Sequence, residues 1–398
     1  IWKRSCPTRT RPSRRSALAA TYAFALGKLH TTTPSCYNPA IMSRDPAVCV
    51  VPRELTANER RILTVLSRYG PQTKRGLAQG TGVSWATVVK LVTRLEREKF
   101  LLRAGIDERP LVQGPDSALY SLTPDYPLAI GIDIEYEHTR VVVAGLGGRM
   151  HHLIQKETPA FAEISAVRDY CLSLVQQVYD EIGVEQEKIV GFGVAIHMLL
   201  AGPHPSMLHD LQAQLQEHSE KPVHVDDVAR AYTLAWQSEL WTSESFATMT
   251  VRAGLGVGFS IGGHIYRGED SLAGQLAHVV LDPESESVCR HCGHRGCIEA
   301  LLNDTPKTAG RRMEYTADIL ARAVSVVIMI LNIRRVIIAA HFGAERSKIE
   351  MLLLRNLTSY VAPYVPYEVH VEELADDSFA VGAAFLVLSK YCNYETPG

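Results

Sequence analysis

Apolar and polar positions follow two distinct rhythms along this chain. Between Asn58 and Tyr69, Ile62, Leu63, Val65 and Leu66 fall on one side of a 3.6-residue period and Arg60, Arg61 and Arg68 on the other. That spacing predicts an amphipathic helix, which Gly70-Pro71 ends. A short helix over Thr73–Gln79 and a tight turn at Thr81-Gly82-Val83 follow. Ser84 then offers an N-cap hydroxyl to a third helix, Trp85–Lys99, with Val88, Leu91, Val92 and Leu95 as its apolar stripe. Two helices joined by a short turn containing Gly make the helix-turn-helix pattern. Phe100–Arg103 and Ala118–Leu122 read as short strands around the polar loop Gly105–Pro115, a wing.

From Tyr126 the rhythm changes to strands alternating with helices. Leu128–Ile134, Arg140–Ala144 and His152–Thr158 are successive β runs, Glu163–Ile182 is a helix, and Lys188–Ile196 is a buried strand. Further strands are predicted at Phe246–Arg252, Val257–Ile261 and Val336–Ala340. This is an α/β architecture whose sheet is covered by helices on both faces. The longest apolar run, Ala323–Leu331, is interrupted by Ser325 and too short to span a bilayer, so no membrane insertion is expected.

The 398 residues suggest two or three domains, and 46% hydrophobic content gives ample material for a core. The net charge of −2 conceals an asymmetry. Residues 1–50 carry eight Lys/Arg against Asp45 alone, and residues 51–105 carry eleven against four acidic residues, which leaves −16 on the remainder. A basic N-terminal third on an acidic body points to a nucleic-acid-binding module joined to something else. Residues 1–52, rich in Arg, Ser, Thr and Pro, are expected to form a disordered basic extension rather than a targeting leader. On the third helix Ser84, Trp85, Thr87, Lys90, Arg94 and Arg97 lie off the apolar stripe and are candidates for DNA contact. A merely solvated helix face is the alternative.

Three of the eight cysteines fall within nine residues, Cys289-Arg-His-Cys292-Gly-His-Arg-Gly-Cys297, with His278 upstream. Three thiolates and an imidazole form a closed tetrahedral set suited to structural zinc. Gly293 and Gly296 permit the backbone reversals that bring the sulfurs together. His278 is the expected fourth ligand, although His291 and His294 lie in the same loop. Eight cysteines with no secretory leader also fit a reducing, cytoplasmic setting.

These residues resemble those of the ROK family of repressors, open reading frames and kinases. The likeness runs from about Asn58 to Leu388. It rests on Ala277-His278, Gly296-Cys297-Ile298-Glu299, Gly131-Ile132-Asp133-Ile134, Gly254-Leu-Gly-Val-Gly258 and Val381-Gly-Ala-Ala384. With its N-terminal helix-turn-helix the chain looks like the repressor branch. The resemblance implies a winged helix-turn-helix domain over 53–124 and a two-lobed, actin-like (ribonuclease-H-like) sugar-kinase fold over 125–398. The first lobe would run from about 125 to 228 with the C-terminal helix, the second from 229 to 375.

The family's catalytic base falls on Asp227 of Val225-Asp226-Asp227-Val228, and Asp226 replaces an amide. The sugar-contacting Glu-x-Gly-His reads Gln275-Leu-Ala277-His278, and Glu299 matches a carboxylate that accepts sugar hydroxyls. Asp226, Asp227, Gln275, His278 and Glu299 are therefore the expected effector-binding residues. The family spacing Cys-x-Cys has one extra residue here. Where family kinases place a glycine-rich phosphate turn, this chain has Asp133-Ile134-Glu135-Tyr136-Glu137, whose carboxylates and ring repel a phosphate. The stretches Met198–Val223 and Glu299–Asn332 look shortened.

The expectation is a transcriptional regulator, a repressor, binding operator DNA as a homodimer or homotetramer. It would respond to a sugar, a sugar phosphate or a sugar-transport-system protein. An ATP-dependent sugar kinase with an appended DNA module is the alternative, and a ligand-blind repressor a third reading.

Overall fold

In the computed structural model, which describes residues 54–106, 118–123, 126–146, 150–182, 186–197, 200, 206–240, 244–252, 254–304, 306 and 309–392, Thr56 opens the first helix. Its hydroxyl meets the Glu59 N–H at 3.4 Å, and the buried Glu59 carboxylate accepts the Thr56 N–H at 2.8 Å. This reciprocal capping box starts α1, Ala57–Tyr69. The two-residue strand β1, Gln72–Thr73, leads into α2, Lys74–Thr81, which ends at Gly82 in a left-handed conformation (φ 68°). Ser84 then caps α3, Trp85–Arg97. This helix stops two residues before the sequence suggests. Lys99 adopts φ 60°, and the Phe100 N–H returns to the Leu95 carbonyl at 2.9 Å, which turns Phe100 into the core. β2, Leu101–Ile106, and β3, Ala118–Leu122, join β1 in an antiparallel sheet of order β1-β3-β2. The expected extension over 1–52 and the greater part of the loop Gly105–Pro115 lie outside the described residues.

Two five-stranded sheets make up the rest. The first contains β4 (Leu128–Ile134), β5 (His138–Gly145), β6 (Met150–Glu157), β7 (Ile189–Ile196) and β8 (Val223–Asp227). Between them run α4 (Ile164–Ile182) and α5 (Met207–Glu217), and α6 (Val228–Leu240) follows β8 directly. The second sheet contains β9 (Phe246–Val251), β10 (Leu255–Ile261) and β11 (His264–Ile265). After α7 (Ile298–Asn303) and α8 (Ala309–Leu331) it continues with β12 (Arg335–Ala340), and after α9 (Arg346–Tyr360) with β13 (Glu368–Glu373). The chain closes on α10, Ser378–Cys392.

The sheet orders are β6-β5-β4-β7-β8 and β11-β10-β9-β12-β13. Each is an antiparallel meander of three strands extended by two parallel ones. One plan is thus used twice. The second sheet and its helices close a continuous apolar core around Leu320, Val324, Ile338 and Leu353. Among the described residues no helix is long and apolar enough to cross a membrane.

Helix α10 lies in backbone contact with the first sheet. A Cβ on Gly131 would sit 1.9 Å from the Ala380 carbonyl, and one on Gly193 would sit 1.8 Å from that of Ala383. Glycine is the residue that permits such an approach. At its far end α10 also completes the core of the N-terminal helices. Phe385 and Leu388 join Leu66, Leu95 and Phe100 in one buried cluster, and Tyr391 stacks on Phe100 with ring centres 6.5 Å apart.

Candidate functional site

The ends of β4, β8 and β9 converge on a cavity of about 110 Å³, lined by Glu135, Asp227, Arg252, Gln275, His278 and Glu299 among others. Ligands of open α/β sheets bind in this position, outside the carboxyl ends of parallel strands. Four of the five sequence-predicted effector residues therefore meet at one place. The fifth, Asp226, does not line this cavity. Neighbouring residues on a strand point to opposite faces, so Asp227 enters the cavity and Asp226 turns away, where Arg230 and Arg267 hold it at 2.5 and 2.9 Å.

The Asp227 carboxylate accepts the Ala229 N–H at 2.9 Å and so caps α6. Burial pushes its pKa up, and the neighbouring Asp226 adds to that, against Arg230 and His197. For Asp226 burial acts in the same upward direction, but the two arginines overcome it and hold that carboxyl below its ordinary range. Glu299 is buried at the start of α7, with His291 Nε2 2.9 Å from its Oε1. Gly254 leaves it room, since a Cβ there would lie 3.1 Å from Glu299 Oε2. Gly258 has a packing role: a Cβ would meet the Thr233 hydroxyl of α6 at 2.0 Å.

An ion cluster lies at the edge of the cavity, at the turn that follows β4. Glu135 directly follows β4, and Arg252 directly follows β9, the equivalent strand of the other sheet. Arg252 Nη1 stands 3.2 Å from Glu135 and 3.6 Å from Asp133, and its guanidinium lies 4.4 Å from the centre of the Phe379 ring. Tyr136 packs beside His197, ring centres 5.3 Å apart. The sequence singles out Glu135, Glu137 and Tyr136 at this turn; Asp133 rather than Glu137 joins Glu135 in the cluster, Arg252 is not anticipated, and His291, anticipated only as a possible metal ligand, is paired with Glu299. The available signal was an arginine at the end of a strand that otherwise leads into a glycine-rich turn.

Asp133 is fully buried, and neither carboxylate oxygen has a hydrogen-bond partner. Burial and then Glu135 raise its pKa from 3.8 to about 7, with Arg252 and Arg140 pulling the other way. The folded chain therefore keeps a proton that the unfolded chain releases. The stability this proton contributes is intact below pH 3.8 and is lost as pH rises towards about 7. Asp133→Asn is expected to remove that loss, on the order of a few kcal/mol, and to be more stable than the parent above neutrality. Melting temperatures of both proteins across the window from pH 3.8 to about 7 and just beyond it test this. Parallel profiles would contradict it.

The cysteine loop sits beside the same cavity. His278, Cys289, Cys292 and Cys297 bring one ligand atom each to within 4.8 Å of one another. Cys289 Sγ lies 3.8 Å from His278 Nδ1, and Cys292 Sγ 4.0 Å from Cys297 Sγ. An ion about 2.3 Å from each sulfur in a tetrahedron sets its ligands roughly 3.8 Å apart, so the four residues fit a metal. The sulfur spacing is also about twice that of a disulfide, ~2.05 Å. His291 is directed to Glu299 rather than into this group, which leaves His278 as the histidine of the cluster.

Of the six residues proposed for DNA contact, Ser84 caps α3 and Thr87, Lys90, Arg94 and Arg97 share one side of it, whereas Trp85, at its first position, falls on the side of Val92. Trp85, Lys90 and Arg97 are exposed, whereas Val88, Val92 and Leu95 are buried. Ser84 Oγ lies 2.8 Å from the Thr87 hydroxyl. Arg94 differs from its neighbours: Nε pairs with Glu98 at 2.9 Å, and Nη1 lies 3.7 Å from the buried Glu59.

Residues 129–306 match the family described as ROK. Similar characterised proteins include the xylose repressor of Bacillus spizizenii, 22% identical over 261 residues that cover 62% of this chain and 66% of the repressor. The N-acetylmannosamine kinase of Haemophilus influenzae is 25% identical over 205 residues, 44% of this chain and 67% of the kinase. The chain thus spans just under two thirds of the xylose repressor. Among solved structures, a ROK family transcriptional regulator described as a homologue of the E. coli MLC protein aligns with TM-score 0.66 and 15% identity, over 85% of this chain and 96% of that one. A ROK hexokinase from Thermus thermophilus aligns at 0.52 and 21%, over 65% and 98%. These likenesses establish the mixed α/β, actin-like kinase fold.

Proposed function

We propose, from the premise that this chain carries a ROK family domain, that it is a cytoplasmic DNA-binding transcriptional regulator, a repressor, whose ROK domain senses a sugar without phosphorylating it. The observation that carries this reading is the ion cluster of Glu135, Arg252 and Asp133. It fills the turn that a phosphate would need, while the sugar-facing residues remain assembled around the cavity. A xylose repressor is among the proteins to which the chain is similar, which supports the reading.

Helices α1 to α3 with strands β1 to β3 would serve as a winged helix-turn-helix, with α3 entering the major groove. Zinc suits the three sulfurs and one imidazole, and when bound would cross-link the loop that adjoins Gln275 and Glu299. Asp227, Gln275, His278 and Glu299 would accept and donate hydrogen bonds to sugar hydroxyls. Asp227 also caps α6, and α6 touches α10 closely: a Cβ on Gly382 would lie 2.1 Å from the Ala231 carbonyl. Because α10 shares a core with the N-terminal helices, a ligand that moves Asp227 can alter how α3 is presented. A homodimer would supply two such helices to a palindromic operator.

A sugar kinase with an appended DNA module is the second reading, and it rests on Asp227 keeping the position of a general base. Coupled assays of ADP release across hexoses and aminosugars are expected to give background rates only. Turnover that Asp227→Asn abolishes would overturn the regulator-only reading.

A further inference from the structure

On the other face of β8 lies a second cavity, of about 180 Å³, bounded by α5, β8, α6 and α10. Its lining includes Arg230, Arg267, Lys390, His224, Gln212 and Asp226. Asp226 is the only acidic side chain among the described lining residues, so three fixed cations face one carboxylate. His224 adds no negative charge. Burial, then Lys390 and Arg267, depress its pKa to about 4, and the neutral ring stands with Nδ1 3.4 Å from Lys390 Nζ.

Arg230 is the decisive group. Its side chain is 2% exposed, its Nε is 2.5 Å from Asp226 Oδ1, and its Nη1 donates to the Ser271 carbonyl at 3.0 Å. Its Nη2 is buried and has no hydrogen-bond partner. A buried guanidinium with an unsatisfied donor costs roughly 1–3 kcal/mol, more when charged, and such a group calls for a partner. Ser271 itself is held at φ 58°, which is unusual for a residue with a side chain.

We infer that this cavity is a binding site for a phosphate group, held by Arg230, Arg267 and Lys390. Arginine presents a planar fork that matches phosphate oxygens, and lysine adds a point charge. The volume is below the roughly 300–1,000 Å³ of drug-sized ligand sites, which suits inorganic phosphate or the phosphoryl end of a small sugar phosphate. The first cavity has the opposite character, with Glu135, Asp227 and Glu299 around Arg252, so the two sites divide neutral from anionic chemistry. The phosphate site does not depend on whether α3 binds DNA.

The test is calorimetric titration of the full chain with inorganic phosphate at physiological ionic strength, and separately with a hexose 6-phosphate and the unphosphorylated hexose. Saturable phosphate binding is expected, weakened about tenfold or more in Arg267→Gln and in Lys390→Gln, as loss of a charge-assisted contact implies. Gln275→Ala, in the first cavity, should leave phosphate affinity within about twofold, since the sites share no lining residue. Competition by hexose 6-phosphate but not by the hexose would identify a sugar phosphate as the source. Competition by neither would identify free phosphate, and both results support the site. No saturable heat, affinity unchanged in both charge variants, or affinity lost in Gln275→Ala would each overturn it.

Discussion

Removing the metal from the His278–Cys289–Cys292–Cys297 cluster is expected to unfold the loop around it and abolish sugar binding together with it. Backbone hydrogen bonds such as Cys289 N–H to the His294 carbonyl and Gly296 N–H to the Ser287 carbonyl (both 2.9 Å) shape the loop, but it has little apolar packing of its own. Its buried cluster consists of Cys289, Cys297 and Ala300, with Cys292 packed against them, so the sulfurs themselves are its core. Zinc in small fingers contributes an apparent ~10–16 kcal/mol, far more than three thiols can supply by packing. The neighbours would follow. Cys297 precedes the first residue of α7, which presents Glu299, and His278 ends the turn that begins at Gln275. Protein purified without added zinc should hold one ion per chain, and its loop should resist proteolysis until a chelator is added. The reading fails on a stoichiometry near zero, or on full metal retention in a Cys292→Ser, Cys297→Ser double variant.

DNA binding should reside wholly in the N-terminal module, and deleting residues 53–105 is expected to abolish it. The body after that segment carries −16 and repels a polyanion. The deletion also strips the apolar end of α10, so point variants are needed beside it. Lys90→Ala is expected to cost about 1–3 kcal/mol at one preferred base pair. Arg97, with a side chain 75% exposed, should act on phosphates, so Arg97→Ala lowers the salt slope by about one for every sequence. Arg94 is different. Its ion pairs with Glu98 and Glu59 tie it to its own domain, so Arg94→Ala should weaken the fold of the module more than the salt slope. Fluorescence anisotropy over a salt series separates these effects. Operator binding by the deleted protein, or no sequence preference in the intact one, would end the regulator reading.

Much of this was legible in the sequence because periodicity and caps are local. The helix over Trp85–Arg97 was marked by Ser84, and β4 was bounded correctly at Leu128–Ile134. The cysteine cluster was legible because its ligands lie close together in the chain, and the gathering of Asp227, Gln275, His278 and Glu299 followed from resemblance. What was missed involves groups far apart. Arg252 meets Glu135 only when two sheets built to one plan bring equivalent strand ends together, and no local pattern reports that meeting. The separation of Asp226 from Asp227 was available in principle from strand alternation. The boundary of α3 was not, because it depends on Phe100 finding a place in a core that α10 completes.

That dependence on α10 has a consequence for the order in which the chain matures on the ribosome. Synthesis proceeds at about 5–20 residues per second, and domains usually fold as they emerge. Here the N-terminal helices and β4 appear early, but the helix that seals both follows only after the whole two-lobed body. Gly131 must wait for Ala380, and Phe100 for Tyr391. Such long-range closure slows folding and leaves apolar surface open in the meantime. On the proposed function, the N-terminal module would therefore not be complete, and would not engage DNA, until the C-terminal helix had been made.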